Sequence, residues 1–113
     1  MAAYKVWHEF SQVIPKRSRR TLGEKIDRLF IELIELLFVA SYFPKEQKLP
    51  YLQKAATRLD LLKFFLQILW EFRDLDNGKY IILSEKLFDI GRMLGGWIKQ
   101  VSPPEDLRAA KKK

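Results

Sequence analysis

The sequence predicts an all-α protein, an antiparallel up-down-up-down bundle of four helices. Three observations carry this expectation. Apolar residues recur at helical spacing along nearly the whole chain, no run alternates with period two for long, and the five prolines fall where helices would end. Apolar residues three and four apart share one face of a helix, whereas a half-buried strand would alternate. The 113 residues amount to one domain, enough for a real core. At 48% apolar, with eight Phe, four Tyr and three Trp, the chain is too hydrophobic to be disordered by composition.

The first helix is expected over about residues 2–14, with Ala3, Val6, Trp7, Phe10, Val13 and Ile14 on one side and Pro15 at its end. The run Lys16-Arg17-Ser18-Arg19-Arg20 follows, then Thr21-Leu22-Gly23-Glu24, which matches a capping box. The second helix therefore starts at Thr21, or at Ser18 with the basic run as its first turn, and continues over 18–43. Cations at a helix N-terminus oppose its dipole, so stability alone does not favour them there. Leu22, Ile26, Leu29, Leu33, Leu37 and Ala40 make a core stripe, and Ile31, Ile34 and Phe38 make a second one offset around the axis. Pro44 ends this helix, and Pro50 suits the first position of a third helix over 50–75.

That third helix repeats the arrangement. Leu52, Ala55, Ala56, Leu59, Leu62, Leu66 and Leu69 form one face, while Leu61, Phe65, Ile68 and Phe72 form a second. Asp76-Asn77-Gly78 reads as a turn. A fourth helix over 79–101 carries Tyr80, Leu83, Leu87, Ile90, Leu94, Trp97, Ile98 and Val101 and stops at Pro103-Pro104. The bundle spans 1–101, leaving 102–113 as a basic tail. A surface helix in a monomer normally has one apolar face. Two helices with a second stripe point to a homo-oligomer, against the plainer reading of a monomer with scattered surface hydrophobics.

The net charge is +7, from 21 Lys and Arg against 14 Asp and Glu. Three of the lysines are the terminal Lys111, Lys112 and Lys113, and Lys16, Arg17, Arg19, Arg20, Lys25 and Arg28 cluster around the start of the second helix. Such an excess suggests a polyanionic partner, most often nucleic acid; a solvated, soluble surface is the bland alternative. With no cysteine there are no disulfides, thiol nucleophiles or cysteine-ligated zinc. No secretory signal opens the chain, and the apolar stretch Leu29–Ala40 is interrupted by Glu32 and Glu35, so a cytoplasmic location without membrane association is expected.

Residues that could carry chemistry do not assemble. His8 is the only histidine and reads as a partly buried surface residue. Glu32 and Glu35 have the spacing of carboxylate ligands in di-iron bundles, but the Glu-x-x-His pairs those sites need are missing. Asp74, Asp76 and Glu85 fall at positions 1, 3 and 12 of a calcium loop, yet Lys79 occupies its glycine position. Gly91 and Gly95, inside an otherwise strong helix, read as a device for close helix packing, with Trp97 filling the space beside them, and not as a phosphate loop. No catalytic residue, metal or cofactor is expected.

The stretch Ile90-Gly91-Arg92-Met93-Leu94-Gly95-Gly96-Trp97-Ile98 closely resembles the last helix of the accessory variability determinant proteins of diversity-generating retroelements. Ile14-Pro15-Lys16 followed by Thr21-Leu22-Gly23-Glu24-Lys25-Ile26 is similar to that family's second helix, and Leu59-x-x-Leu62-Lys63-x-x-Leu66 to its third. The likeness covers about residues 4–101. A sibling family, the four-helix proteins encoded in intervening sequences of large-subunit ribosomal RNA genes, shares the Pro-Lys lead-in. It typically carries Asn-Ile-Ala-Glu-Gly where this chain has Phe38-Val39-Ala40-Ser41-Tyr42. A member of that type would be a structural or regulatory bundle binding a protein partner.

The closer resemblance implies a homopentameric barrel that binds the element's reverse transcriptase and its template RNA or DNA in mutagenic retrohoming. It implies no chemistry by the accessory protein itself. Lys63 falls where the family tends to place a basic residue; Gln67, one turn on, is uncharged where another can occur. On this reading Lys16, Arg17, Arg19, Arg20, Lys25, Arg28, Arg58 and Lys63 contact nucleic acid or polymerase. Ile31, Ile34, Phe38, Phe65, Phe72, Gly91, Gly95 and Trp97 serve helix packing or self-assembly.

Overall fold

A computed structural model describes residues 1–103, and all of its regular structure is helical. Helix α1 spans Ala2–Ser11. Helix α2 is a continuous run of three pieces, Lys16–Ser18, a π-helical turn Arg19–Gly23, and Glu24–Tyr42. Helix α3 spans Lys45–Glu71 and α4 spans Asn77–Val101. Connections this short reverse the chain each time, α2 packs on α3 and α3 on α4, and α1 closes the ring against α4 and α2. The basic tail expected over 102–113 lies, from residue 104 on, outside the described residues.

Every helix boundary differs somewhat from expectation, and each difference has a cause. α1 stops at Ser11 because Gln12, Val13 and Ile14 donate to carbonyls only three residues back. That tighter winding turns Ile14 into the core and leaves Val13 68% exposed, although both were expected on the buried side. α2 starts at Lys16, before either expected position, because Pro15 already holds the extended conformation that precedes a helix (φ −52°, ψ 140°). The expected capping box does not form. Thr21 lies inside the helix, and its hydroxyl donates back to the carbonyls of Arg17 and Ser18.

Pro50 is not the first residue of α3. Pro44 takes the extended position ahead of the helix, and Pro50 lies in its second turn. There the proline deprives only the Glu46 carbonyl of a partner, and Glu46 is exposed to water. The far end of α3 stops at Glu71, before the expected 75, in a Schellman turn. Asp74 N–H donates to Leu69 O (3.1 Å) and Arg73 N–H to Trp70 O (2.9 Å), with Arg73 at φ 64°.

α4 starts at Asn77 because Asp76-Asn77-Gly78 is its cap and first turn. Asp76 Oδ1 accepts the Lys79 backbone N–H at 2.8 Å, and Oδ2 accepts the Lys79 ammonium at 2.7 Å. The ammonium first, then the backbone N–H, holds the Asp76 carboxyl below the usual carboxylate range.

The core is built from the stripes anticipated for α2, α3 and α4, together with Phe30, Trp7 and Leu75; Leu22, Leu37, Ala56, Tyr80, Trp97, Ile98 and Val101 of those stripes are only half-buried at its edge. Phe30 follows directly on Leu29 and widens the buried face of α2 to Ile26, Leu29, Phe30 and Leu33. Its ring stacks on Trp7 (centroids 6.3 Å apart) and meets Tyr4 at 5.6 Å. This aromatic cluster fastens α1 to the bundle.

Arg73 is the one non-glycine residue with positive φ among those described. A side chain there costs about 1–2 kcal/mol, which glycine avoids. Arg73→Gly is expected to raise the unfolding free energy by about 1 kcal/mol. Arg73→Val is expected to lower it. Urea titration followed by circular dichroism measures both.

Candidate nucleic-acid interface

The geometry of the basic segment follows from the turn that precedes it. Ile14 is buried, Pro15 breaks the helix, and the next residue can only begin a new one, so Lys16 and Arg17 form its first turn on the surface. Arg19 reaches back across the turn and donates to Gln12 O (2.8 Å) and Ile14 O (3.0 Å). It satisfies carbonyls left over at the end of α1 and places a cation at the negative end of that helix dipole. Arg19 thus has a structural task as well as a charge.

The π-helical turn divides the cations between two flanks of α2. A π turn inserts an extra residue into the α-helical winding. On the α1 side, Arg19, Arg20 and Arg28 line a cleft of about 600 Å³ with Tyr4, His8 and Asp27. On the α3 side, Arg17 and Lys25 line a second cleft of about 820 Å³ with Phe65, Phe72 and Asp74. Between the two, Ser18 is buried and its hydroxyl donates to the Asp74 carboxylate, tying the start of α2 to the turn after α3.

The structure keeps Lys16, Arg17, Arg19, Arg20, Lys25 and Arg28 on the first half of α2 and sets Arg58 and Lys63 apart on α3. Arg58 Nε lies 2.7 Å from Glu32 Oε2 across the α2–α3 seam. Lys63 lies in the groove between α3 and α4, beside Gly91. Among the described residues only two ion pairs form, Arg58–Glu32 and Lys79–Asp76. The six cations of the 16–28 segment take no part in either.

The residues expected to serve packing or assembly also separate. Gly91 faces Leu59 and Lys63 of α3, so its bareness is used within the chain, whereas nothing described lies within 4 Å of a Cβ placed on Gly95. Trp97 packs on the core with Lys48 Nζ 5.5 Å from its ring centroid. Ile34 and Phe65 are half-buried; Ile31, Phe38 (61%) and Phe72 (65%) are exposed. Phe64, Ile81, Ile82, Phe88 and Met93 are exposed too, and the sequence reading passed over them. The seven-residue interval from Ile81 to Phe88 was the signal available for a further stripe on α4.

The would-be calcium ligands do not converge. Asp74 turns to Ser18 while Asp76 caps α4. Among the described residues no three His, Cys, Asp or Glu side chains gather closely enough to hold a metal ion. No helix there is long and apolar enough to cross a membrane.

In comparison with known proteins, the model of the bAvd-like family matches residues 1–101. No curated protein and no solved structure matches the chain.

In the wall of the α1–α2 cleft, Tyr4 donates its hydroxyl to Asp27 Oδ1 at 2.9 Å. Burial, then this hydrogen bond and the Asp27 charge, raise the Tyr4 pKa above its ordinary value of 10.0. A group that binds its proton more tightly when folded adds stability that is complete below the unfolded pKa and is lost as pH rises through the folded one. Tyr4→Phe is expected to cost about 1 kcal/mol near neutral pH. It should also flatten the alkaline decline in stability above about pH 10, as read from denaturation midpoints across pH.

Proposed function

We propose, on the premise that the chain belongs to the bAvd-like family, that it is a non-enzymatic accessory subunit of a diversity-generating retroelement. Members are accessory variability determinants. In this role the protein binds the element's reverse transcriptase and its template RNA or DNA and supports mutagenic retrohoming as a homopentamer. One observation supports the nucleic-acid part above all. Six cations lie on the 16–28 segment of α2, and none of them is in either ion pair formed among the described residues. Unpaired surface cations gathered in one place displace counterions from a phosphate backbone, which supplies affinity without reading sequence.

The assembly part draws its support from the exposed apolar faces. Ile31, Phe38 and Tyr42 on α2, Phe64 on α3, and Ile81, Phe88 and Met93 on α4 are large apolar side chains left exposed on three helices. The reverse-transcriptase part draws its support from membership of the family alone.

Binding to template RNA should weaken by roughly 10²- to 10³-fold between about 50 and 200 mM salt, as expected for about six phosphate contacts. The triple charge reversal Arg17→Glu, Arg20→Glu, Arg28→Glu should abolish it without loss of helicity, and should reduce co-purification with the reverse transcriptase. Binding insensitive to salt, or retained by the triple variant, sinks the electrostatic reading. Light scattering of the purified chain should give five times the 13.4 kDa protomer mass. A monomer at micromolar concentration would rule out the assembly.

A further inference from the structure

The α2–α3 cleft joins two groups of residues that the sequence assigned to different tasks. Arg17 and Lys25 belong to the basic segment, and Phe65 and Phe72 to an apolar stripe of α3, yet all four line one recess. At about 820 Å³ it falls in the range of about 300–1,000 Å³ typical of small-molecule sites. Its two rings differ. Phe65 is half-buried, with Lys25 Nζ 5.9 Å from its centroid, so part of its surface is already taken. Phe72 lies two turns further along α3, is 65% exposed, and pairs with no other aromatic ring among the described residues.

We infer that this cleft is a base-stacking site for single-stranded nucleic acid. An unpaired base stacks on the Phe72 ring while Arg17 and Lys25 hold the adjoining phosphates. The inference rests on the nucleic-acid reading above and deepens it by naming the form of nucleic acid. In a duplex both faces of each base are covered by neighbours, so an aromatic ring has nothing to stack on; an unpaired base offers its face whatever its identity. The flanking cations favour an anionic occupant over an apolar helix, because burying Arg17 and Lys25 against a protein face would strand two charges. The one acid in the lining, Asp74, accepts the Ser18 hydroxyl and is outnumbered by the two cations.

The site also explains the geometry at its rim. α3 ends in the Schellman turn immediately after Phe72, and the Ser18–Asp74 hydrogen bond fixes that turn against the start of α2. The ring and the cations are therefore held in register by packing and by one buried polar contact.

The test uses the full-length chain and a short single-stranded RNA bearing one 2-aminopurine, alongside the duplex of the same sequence. Affinity is read by fluorescence anisotropy and stacking by quenching of the 2-aminopurine. The wild-type chain should bind the single strand more tightly than the duplex and quench its fluorescence. Phe72→Ala should lower single-strand affinity by roughly 10- to 100-fold, in keeping with loss of one stacked base, and remove the quenching. Its duplex affinity and solution mass should stay unchanged. Phe72→Trp, which restores a flat ring, should restore both signals.

Single-strand binding by Phe72→Ala equal to wild type overturns the inference and leaves the proposed nucleic-acid function standing. Failure of the wild-type chain to bind either RNA overturns both. A changed solution mass in Phe72→Ala assigns the ring to a contact between copies instead. Lost helicity assigns it to the fold, and either result rejects the stacking site.

Discussion

Ile14 is held in the core while its neighbour Pro15 can neither continue α1 nor do anything but lead into α2. Between them they decide where every cation of the 16–28 segment goes. The chain must turn within residues 12–15, the new helix must begin at Lys16, and every polar residue of its first two turns except the buried Ser18 lies on the surface. Arg19 closes the turn from the far side by taking the Gln12 and Ile14 carbonyls. The π-helical winding that follows then allots Arg17 and Lys25 to one flank and Arg20 and Arg28 to the other. A patch that looks in sequence like one basic run is, in three dimensions, a ridge between two clefts.

Much of this was legible beforehand. The middle of each stripe on α3 and α4 is buried as the helical periodicity predicts, because burial in a bundle depends on angle around the helix axis; Tyr80 and Trp97, near the ends of α4, are only half-covered. What the sequence concealed were places where two local preferences compete. Thr21 and Glu24 have capping-box spacing, but Pro15 had already started the helix six residues earlier. Pro50 suits a first turn, but Pro44 suits it better, and an exposed second turn tolerates the ring. Arg73 carries no sign of its left-handed conformation, since the chain reversal between α3 and α4 imposes it. Phe30 escaped notice because it adjoins Leu29, and its partner Trp7 lies on another helix.

The candidate site was less legible than the fold, for a related reason. Residue type announced the cations, but their partners are set by tertiary placement. Arg58 meets Glu32 across a seam, and Lys63 turns into the α3–α4 groove. Phe65 and Phe72 share a periodic stripe with Leu61 and Ile68 and looked like one apolar surface. Only the packing of α3 against the start of α2 shows that the end of that stripe faces charge.

The shortness of α1 has a dynamic consequence. Its ten residues are fastened to α2 through Trp7 and Tyr4 on Phe30, and on their other side to α4. The helices that flank it, α2 and α4, are far longer. Elements with few buried contacts open at lower free energy than the rest of a domain, and their amide hydrogens exchange first. Opening of α1 would bare Phe30 beside the exposed Ile31, extending the apolar flank of α2 that Phe38 and Tyr42 continue. Any surface that settles on that flank therefore holds α1 shut, so amide exchange in residues 2–11 becomes a local gauge of whether the flank is covered.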